Sequence, residues 1–488
     1  MPPVEITVQI EPLSEILQDE NCKTVMDYNP DNKRSSYRIK INSPVTLKTK
    51  SFAEIPSQAQ NAQTINLSEG GIGISFDAEV KLPSPLLIEF NLMNTPLQFQ
   101  GEVMWNKIFD DGKYYCGVQF LDKDEQQDSI LKGFLFTDDE YIQQLINILP
   151  PVEKETSEKI ETFFRRDVKW FIKDLIDLEQ HLKNKTMPED AIQKKLNYIS
   201  DEIVKKGDEL EGEFKNGILI KRIKETFRLL TGHWVFKSKM GERVFKKLRG
   251  YPGDYISLES IYNNQPISVG IGIYYDRYLL NNPLAITVRM RKEKMKEALI
   301  TFLKETNLPS INILNIACGS CREINELFNN PEIMGLKKNI RFTFVDFDKE
   351  AIEFSKNRLR PPKNTRLEFL NEDIVNLIKN EKYRERLSKQ HLIYSMGLAD
   401  YMPNRLLKAF IAFTFSLLHP GGRLIITHKD REKYKPIPHD WFINWVFEPR
   451  NVKDLTRLIE DSGISNYSLD MAWEDSNKIF FLTITKGR

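Results

Sequence analysis

Two arginines and a short polar turn near the start of the chain have the spacing of an anion-binding site. Arg34 and Arg38 lie in the run KRSSYR, and Asn66, Ser68 and Gly71 follow in the run NLSEGG. An arginine fork donates paired hydrogen bonds to phosphate oxygens or to the major-groove edge of guanine. Asn and Ser add neutral donors and acceptors, and glycine lets backbone approach a ligand closely. The pattern predicts a ligand that carries phosphate and guanine; a surface arginine pair beside an ordinary turn is the alternative.

Short apolar segments separated by turn residues follow both motifs, which is typical of a small β-barrel. The predicted strands are Arg38–Asn42, Val45–Lys48, Ile72–Phe76, Leu86–Leu92, Phe99–Trp105 and Tyr114–Phe120. With the two motifs, this region resembles the PilZ domain, a cyclic di-GMP receptor, and the resemblance continues through GEVMWNK (101–107) and YYCGVQFLD (114–122). It implies that Arg34 and Arg38 clamp phosphate and guanine, and that Asn66, Ser68 and Gly71 hold the other base.

A second group of residues that could do chemistry begins at ILNIACGSCRE (313–323), which is typical of a strand, a tight turn and a helix start. The small residues Ala317 and Gly319 would let backbone approach a ligand. The strings GxGxxG and GK[ST], expected of nicotinamide and P-loop sites, are absent. Later predicted strands end in acids, Asp346 in FVDFD and Asp373 in FLNEDI. Each acid could instead be a helix N-cap.

This ordered set resembles the class I S-adenosylmethionine (SAM)-dependent methyltransferases, and the resemblance implies the cofactor contacts. Ala317 and Gly319 would face the methionine part, Asp346 would accept the ribose hydroxyls, and Asp373 with Ile374 would hold the adenine. Ser395, in IYSMGLADY (393–401), lies at the switch point of the predicted sheet. The chain departs from the usual first motif by Asn315 in place of an acid and by Cys321 in place of a glycine.

A narrower resemblance covers residues 220–488, where RGYPGDY, NNPLAITVRMR and HPGGRLIITH occur in the order seen in 3-hydroxypalmitic acid methyl ester synthases. It implies a carboxylate acceptor, which is already ionised at neutral pH and needs no general base. Tyr401, Asp400 and Tyr251 are predicted to shape the acceptor pocket.

Four further residues are candidates, and all but Asp254 have two interpretations. Arg289 and Arg291 could hold an acceptor carboxylate or be surface charges on a helix. Asp254 could close over the cofactor as part of an N-terminal lid. His428 is either a site residue or a histidine satisfied at a strand end.

The elements that position these residues predict a multidomain chain. We expect an N-terminal extension (1–30), a six-stranded PilZ-like β-barrel (31–125) and a helical connector (126–240). A Rossmann-like, doubly wound α/β methyltransferase sheet with a C-terminal antiparallel hairpin follows (241–488), including a lid over 241–305. One helix is predicted over 122–147. The connector is dense in both charge signs with helical periodicity, which favours a solvated spacer, with homodimerisation as the alternative.

Composition excludes other classes of protein. The 488 residues carry 70 Lys plus Arg against 69 Asp plus Glu, a net charge of +1, which argues against a protein that coats a nucleic-acid polymer. Locally, residues 31–50 hold six basic residues and one acid, which suits a small anionic nucleotide. No membrane span or signal peptide is predicted. Four cysteines do not make a disulfide framework, so we expect a cytoplasmic protein.

Cys318 and Cys321 form a lone CxxC. A zinc site would need a second ligand pair, which the spacing does not offer, so no metal is predicted. A thiol–disulfide site and a pair of small loop residues are the remaining readings.

Together these motifs predict a cyclic di-GMP receptor whose PilZ domain regulates a SAM-dependent methyltransferase that esterifies a hydroxy fatty acid or similar small carboxylate. The alternative is a non-catalytic receptor that uses a methyltransferase-like scaffold to signal to a protein partner.

Overall fold

The computed structural model describes residues 38–41, 44–49, 62–77, 82, 85–92, 95–109, 112–380, 386–435 and 437–488. Arg34 and the predicted extension 1–30 lie outside these residues. The described residues form two compact units. One contains the residues up to Lys237 together with Val269–Tyr274, and the other contains Ser238–Ser268 and Tyr275–Arg488.

The first unit begins with a closed β-barrel. Its strands are β1 (Ile39–Lys40), β2 (Pro44–Thr49), β3 (Ala62–Ser68), β4 (Gly71–Phe76), β5 (Leu86–Leu92), β6 (Thr95–Ile108) and β7 (Tyr114–Asp122). Six strands pair in the order β3-β2-β5-β6-β7-β4, and the pairing of β4 with β3 closes the ring. The predicted six-stranded barrel is therefore confirmed, although its membership differs from the predicted strands.

Strand β3 was missing from the predicted set, and it takes the place given to the segment 38–42. Among the described residues of that segment, 38–41, Ile39 and Lys40 are strand, paired antiparallel to Leu67 and Asn66. Strand β3 reads AQTINLS, with buried Ala62 and Thr64 rather than large apolar residues at its start. The alternation of buried and exposed positions in β3 is therefore hard to recognise from the hydrophobicity of its residues.

Helices follow the barrel in the same unit. They are α1 (Glu125–Thr137), α2 (Asp139–Ile146), α3 (Lys154–Thr162), α4 (Lys169–Asn184), α5 (Glu189–Glu213) and α6 (Gly217–Val235), with a π-helical turn at Phe163–Val168 between α3 and α4. The single helix predicted over 122–147 is divided at Asp138. This residue ends α1 and also caps α2, because its carboxylate accepts from the backbone N–H groups of Glu140 and Tyr141.

The second unit is an α/β sheet preceded by helices. Its helices are α7 (Lys239–Lys246), α8 (Tyr255–Asn263), α9 (Ile271–Leu280, whose first turn belongs to the other unit), α10 (Pro283–Glu305), α11 (Arg322–Phe328), α12 (Pro331–Met334), α13 (Lys349–Arg358), α14 (Ile374–Lys379), α15 (Asn404–Ser416), α16 (Ile437–Ile443) and α17 (Val452–Glu460). Its strands are β8 (Ser310–Ile316), β9 (Asn339–Asp346), β10 (Thr365–Asn371), β11 (Gln390–Ser395), β12 (Leu418–Lys429), β13 (Tyr467–Trp473) and β14 (Ile479–Lys486).

The strands pair in the order β10-β9-β8-β11-β12-β14-β13. The first five are parallel, and the hairpin β13–β14 joins β12 antiparallel. Apolar cores cover both faces of the sheet. The doubly wound sheet with its C-terminal hairpin is thus confirmed, and its switch point lies between β8 and β11, where open sheets bind ligands.

Across the described helices, none combines the length and apolar character needed to cross a membrane.

Gly71 has a packing reason to be glycine. A Cβ built on it would meet the backbone carbonyl oxygen of Val118 at 2.3 Å. We expect Gly71→Ala to lower the free energy of unfolding by about 1–3 kcal/mol, the usual cost of overpacking. Gly212→Ala, in exposed helix with nothing within 4 Å, is the control and should raise stability by up to about 1 kcal/mol. Calorimetric unfolding of the full chain measures both, and equal stability of Gly71→Ala and the parent would contradict the packing argument.

Candidate functional site

A cavity opens at the carboxyl ends of β8, β9 and β11, within the second unit. Its walls include the loop after β8, the ends of β9 and β10, the segment after β11 and residues of helices α8 and α10. Of the residues predicted from the sequence, Ala317, Gly319, Asp346, Asp373 and Ile374 line it. Tyr251, Arg291, Asp400 and Tyr401 line the same cavity. The structure therefore brings most of the predicted methyltransferase site together in one space.

The loop after β8 keeps a glycine-type backbone without having glycine throughout. Ala317, Gly319 and Cys321 have φ angles of +56°, +52° and +49°. This left-handed conformation costs a residue with a Cβ about 1–2 kcal/mol. Neighbouring contacts hold the loop, because the Cys318 amide donates to the Val345 carbonyl at 3.1 Å and the Ser355 hydroxyl donates to the Gly319 carbonyl at 2.9 Å.

Asn315 stands where the usual first motif has an acid, and a carboxylate from the following helix approaches it. The Asn315 amide donates to Glu323 Oε1 at 3.1 Å, and the Tyr394 hydroxyl donates to the same oxygen at 2.8 Å. Burial raises the pKa of Glu323 to about 7. Although Asn315 replaces the usual acid, Glu323 of α11 supplies a carboxyl group beneath the loop.

Asp346 ends β9 and faces the cavity. Its carboxylate accepts from the amides of Gly319 at 2.8 Å and Asp348 at 2.9 Å. Burial raises its pKa to about 6, although these backbone donors favour the charged form. Each oxygen keeps a lone pair for a ligand hydroxyl, so Asp346 is tied to the loop and still able to accept.

Asp373 has both roles considered from the sequence. It is the N-cap of α14, accepting from the Val375 amide at 2.6 Å, and it also lines the cavity beside Ile374. Ser395 is placed differently. It is not among the described residues that line the cavity, and its hydroxyl donates to the Ile316 carbonyl at 2.8 Å, which joins β11 to β8.

A buried ion-pair cluster around Asp400 forms part of the cavity wall. Asp400 accepts from the Lys429 ammonium at 2.6 Å and from the Lys429 backbone amide at 3.0 Å. The Arg291 guanidinium lies 3.6 Å from the same carboxylate. Gly397 makes room for this arginine, because a Cβ there would meet Arg291 Nη1 at 2.6 Å.

The charges in this cluster shift one another's pKa. Burial alone would raise the pKa of Asp400, but Lys429, His428 and Arg291 lower it overall. Burial lowers the pKa of Lys429 to about 8, with Arg291 acting in the same direction and Asp400 opposing it. At neutral pH this cluster therefore presents two cations, Arg291 and Lys429, and one carboxylate, Asp400, to the cavity.

His428 lies behind the cluster rather than in the cavity wall. It is fully buried, its Nδ1 is 2.7 Å from the Lys429 carbonyl and 3.7 Å from Asp400, and its Nε2 is 3.3 Å from Arg450. Arg450 also donates to the carbonyls of Ala399 and Met402. This arrangement matches the reading of His428 as a satisfied strand-end histidine.

Aromatic side chains complete the cavity. The Trp445 indole N–H donates to the Tyr401 hydroxyl at 2.6 Å, and the Tyr251 ring lies 5.4 Å from that of Phe347. Burial raises the pKa of both tyrosines, so both stay neutral. Sequence reasoning missed Lys429 and Trp445; the end of β12, one residue after His428, was the available signal for the lysine.

Two predicted residues are used elsewhere. The Arg289 guanidinium donates to the carbonyls of Leu280 at 2.9 Å and Ile261 at 3.4 Å, and so braces neighbouring helices. Asp254 is buried, caps α8 through the Ser257 amide, and pairs with Arg243 at 2.5 Å. Two residues shortly before Asp254 in the sequence, Tyr251 and Gly253, do line the cavity.

The CxxC cysteines belong to the loop after β8, and both are buried thiols. Both Cys318 and Cys321 belong to the apolar core on one face of the sheet. Burial raises the pKa of Cys318, and the neighbouring Cys321 thiol acts in the same direction. This favours the reading of small loop residues, since a reactive cysteine needs a lowered pKa and exposure.

The second predicted site is on the barrel. The Arg38 guanidinium donates to Asn66 Oδ1 at 3.1 Å, which joins the two motifs. The Ser68 hydroxyl donates to the Gly71 carbonyl at 3.2 Å across the turn between β3 and β4. Gly71 itself packs against Val118, so its small size serves the barrel as well as any ligand.

Comparison with known proteins agrees with both domain types. Residues 32–137 match the family of the PilZ domain, and residues 308–470 match a family described as a methyltransferase domain. No curated protein matches the chain significantly.

Solved structures resemble the chain weakly. A possible exported protein from Bordetella parapertussis has 16% identity, 55% of this chain and 88% of that chain covered, and a TM-score of 0.41. Magnesium protoporphyrin IX methyltransferase from Synechocystis, with bound SAM, has 14% identity, 42% and 85% covered, and a TM-score of 0.30. The N-methyltransferase NodS from Bradyrhizobium japonicum has 13% identity, 40% and 97% covered, and a TM-score of 0.28.

These scores are below 0.5, so the family matches, and not the solved structures, carry the assignment. On that basis the chain combines a PilZ domain, whose ligand is cyclic di-GMP, with a methyltransferase domain whose cofactor is SAM.

Proposed function

We propose that this enzyme methylates the carboxylate of a hydroxy fatty acid or similar small acid, and that cyclic di-GMP bound to the PilZ domain regulates the reaction. The observation that carries the acceptor class is the excess of buried positive charge formed by Arg291 and Lys429 against Asp400. The resemblance to 3-hydroxypalmitic acid methyl ester synthases supports the same class.

The residues at the loop end fit SAM. Asp346 offers carboxylate oxygens for ribose hydroxyls, Ile374 offers an apolar surface for adenine, and Asp373 offers an acceptor for its amine. The positive φ angles at Ala317 and Gly319 turn the loop so that it lines the cavity. When bound, the cofactor supplies an electrophilic methyl group on a sulfonium.

The opposite end fits an acid with an apolar body. Burying a cation without a counter-charge is costly, so the second cation beside Asp400 favours an anionic partner. The cavity that the cluster faces also has apolar residues in its wall, among them Val288, Met402 and Leu406. A carboxylate attached to an alkyl chain satisfies both parts of this surface.

The chain's own residues then have limited chemical tasks. The acceptor is already ionised, so no residue has to remove a proton. Lys429 and Arg291 orient the carboxylate, and Asp400 holds both cations in place. Tyr401 and Tyr251, neutral and buried, close the cavity to water and narrow the approach of the acceptor oxygen.

At the barrel, Arg34 and Arg38 are proposed to clamp phosphate and guanine, with Asn66, Ser68 and Gly71 at the other base. The bond from Arg38 to Asn66 supports this, because it places both motifs side by side. Homodimerisation through the helices of 126–240 and a cytoplasmic location stay predictions.

The pKa of Asp346 yields a pH prediction for SAM binding. Ribose hydroxyls donate to the ionised carboxylate, so affinity should be constant above pH 7 and fall below about pH 6, by at most about tenfold per pH unit for one proton. Asp346→Asn should weaken binding and flatten this slope. Calorimetry measures both, with exposed Asp470→Asn as the control. A variant Asp346→Asn that keeps the parent's pH slope would refute this role.

Lys429→Met tests the acceptor class. We expect kcat/KM for 3-hydroxy fatty acids to fall roughly 10- to 100-fold, the value of one charge-assisted hydrogen bond, while the Kd for SAM is unchanged. Transfer from radiolabelled SAM into lipid measures the rate, and calorimetry measures SAM binding. Exposed Lys433→Met is the matched control, and Lys429→Arg should retain more activity than Lys429→Met.

Two results would count against the proposal. One is label entering protein rather than lipid when lysate is offered as acceptor. The other is an unchanged kcat/KM in Lys429→Met.

Arg38→Ala, alone or with Arg34→Ala, tests the nucleotide site. Losing charge-assisted bonds to phosphate or guanine should weaken cyclic di-GMP binding about 10-fold or more for each arginine. The methyltransferase rate of the variant should no longer respond to the nucleotide, whereas basal activity persists. Lys48→Ala, a barrel cation paired with Glu89, is the control. Retained affinity in the double variant would refute the site.

A further inference from the structure

The turn between β3 and β4 is bonded to the helices that follow the barrel. Helix α2 contacts this turn and also the arginine motif: the Tyr141 hydroxyl donates to Glu69 Oε1 at 2.8 Å, and the Gln144 side-chain amide donates to the carbonyl of Arg38, just before β1, at 3.0 Å. The Lys123 ammonium, just before α1, donates to the Glu69 carbonyl. Glu69 lies inside NLSEGG, so three contacts tie the predicted nucleotide site to helices of its own unit.

From Lys123 the contacts continue along α1. Its ammonium is 3.5 Å from Asp128 Oδ1, and Asp128 Oδ2 pairs with Lys132 at 2.8 Å. Lys132 is in turn 3.5 Å from Nδ1 of His233, on α6. These groups are half-buried or buried, where polar interactions are stronger than in water.

Beyond His233 the contacts cross to α4. His233 Nε2 lies 2.6 Å from the Ser129 hydroxyl, and Ser129 donates to Glu179 Oε2 at 3.1 Å. Glu179 also accepts from the Trp234 indole at 2.9 Å and from the Lys237 ammonium. Lys237 is the last residue of this unit before Ser238 begins the methyltransferase unit.

We define the polar network as Lys123, Asp128, Ser129, Lys132, Glu179, His233 and Lys237. Burial, with Lys132 and Lys237 nearby, lowers the pKa of His233 to about 3, although Asp128 opposes this. The ring is therefore neutral and donates from one nitrogen at a time.

A neutral His233 gives the network two alternative arrangements. In the first arrangement, Lys132 donates to Nδ1 of His233, Nε2–H of His233 donates to Ser129, and Ser129 donates to Glu179. The observed distances fit this series of hydrogen bonds. In the other, Ser129 donates to Nε2 and Nδ1–H points to Asp128, which at 4.0 Å is too distant here. Because Ser129 is engaged by Glu179 and Lys237 in the observed arrangement, it is not a nucleophile activated by the histidine.

We propose that this network transmits the effect of cyclic di-GMP binding from the turn that contains Glu69 to the C-terminal end of α6. It does so by switching between its two hydrogen-bond arrangements. Asp128 is the link, since it shares Lys123 with the turn and faces His233 in the alternative arrangement. The inference rests on the proposed nucleotide site, and it names the groups that such regulation would move.

Hydrogen exchange of the full chain, with and without cyclic di-GMP, tests the network. In the parent, the nucleotide should change exchange in the turn 68–71, in α1 and in residues 229–237. Ser129→Ala should bind the nucleotide with unchanged affinity, but the change at 229–237 should fall to less than half. Ser157→Ala, a helical serine on α3 outside the network, should behave as the parent.

The outcomes separate the two proposals. Binding with changes confined to the barrel, or a parent-like response in Ser129→Ala, overturns the network alone. Absence of nucleotide binding by the parent overturns the proposed site and the network together. If Ser129→Ala does not fold, Glu179→Gln replaces it. The parent's exchange pattern also tests the network without any variant, because changes confined to the barrel would overturn it.

Discussion

The acceptor end of the cavity depends on one buried carboxylate, that of Asp400. It pairs with Lys429 at 2.6 Å, lies 3.6 Å from Arg291, and has His428 within 3.7 Å. Buried cations of this kind persist only when a counter-charge is present, and removing the partner of a buried pair typically costs about 3–5 kcal/mol. Asp400 also joins the segment after β11 to the end of β12, because the Lys429 amide donates to it. The carboxylate of Asp400 therefore balances the buried charge and also fixes the geometry of the surrounding segments.

The same constraint explains why the glycine at 397 and the arginine at 450 are needed. Gly397 lets the Arg291 guanidinium lie against the backbone, and Arg450 satisfies carbonyls of the segment that carries Asp400. The walls of the cavity are therefore set by polar contacts behind it, while its apolar surface is left for the acceptor.

Much of the site was predictable because acids at the ends of parallel strands meet at one sheet edge. Asp346 and Asp373 followed from that rule. The sequence could not show which of Arg289 and Arg291 faces the cavity. Residues two apart on a helix point in different directions, and only the packing of α10 decides between them. Ser395 ends β11, as its strand position predicted, but the sequence could not show that its hydroxyl donates to the Ile316 carbonyl.

The fold was predicted where apolar periodicity was strong, as in the parallel strands and the final hairpin. It was not predicted for β3, whose polar sequence AQTINLS becomes a barrel strand through its neighbours β2 and β4. The break at Asp138 was also missed, because one side chain ends one helix and caps the next.

The loop of Ala317, Gly319 and Cys321 has a consequence for ligand affinity. Two residues with side chains, Ala317 and Cys321, are kept in the left-handed region by contacts within the protein. Their strain is opposed by these contacts and is therefore a cost of folding, not of binding. A loop that the protein's own hydrogen bonds hold in place loses little conformational freedom on binding a ligand, so the fold itself provides the preorganisation.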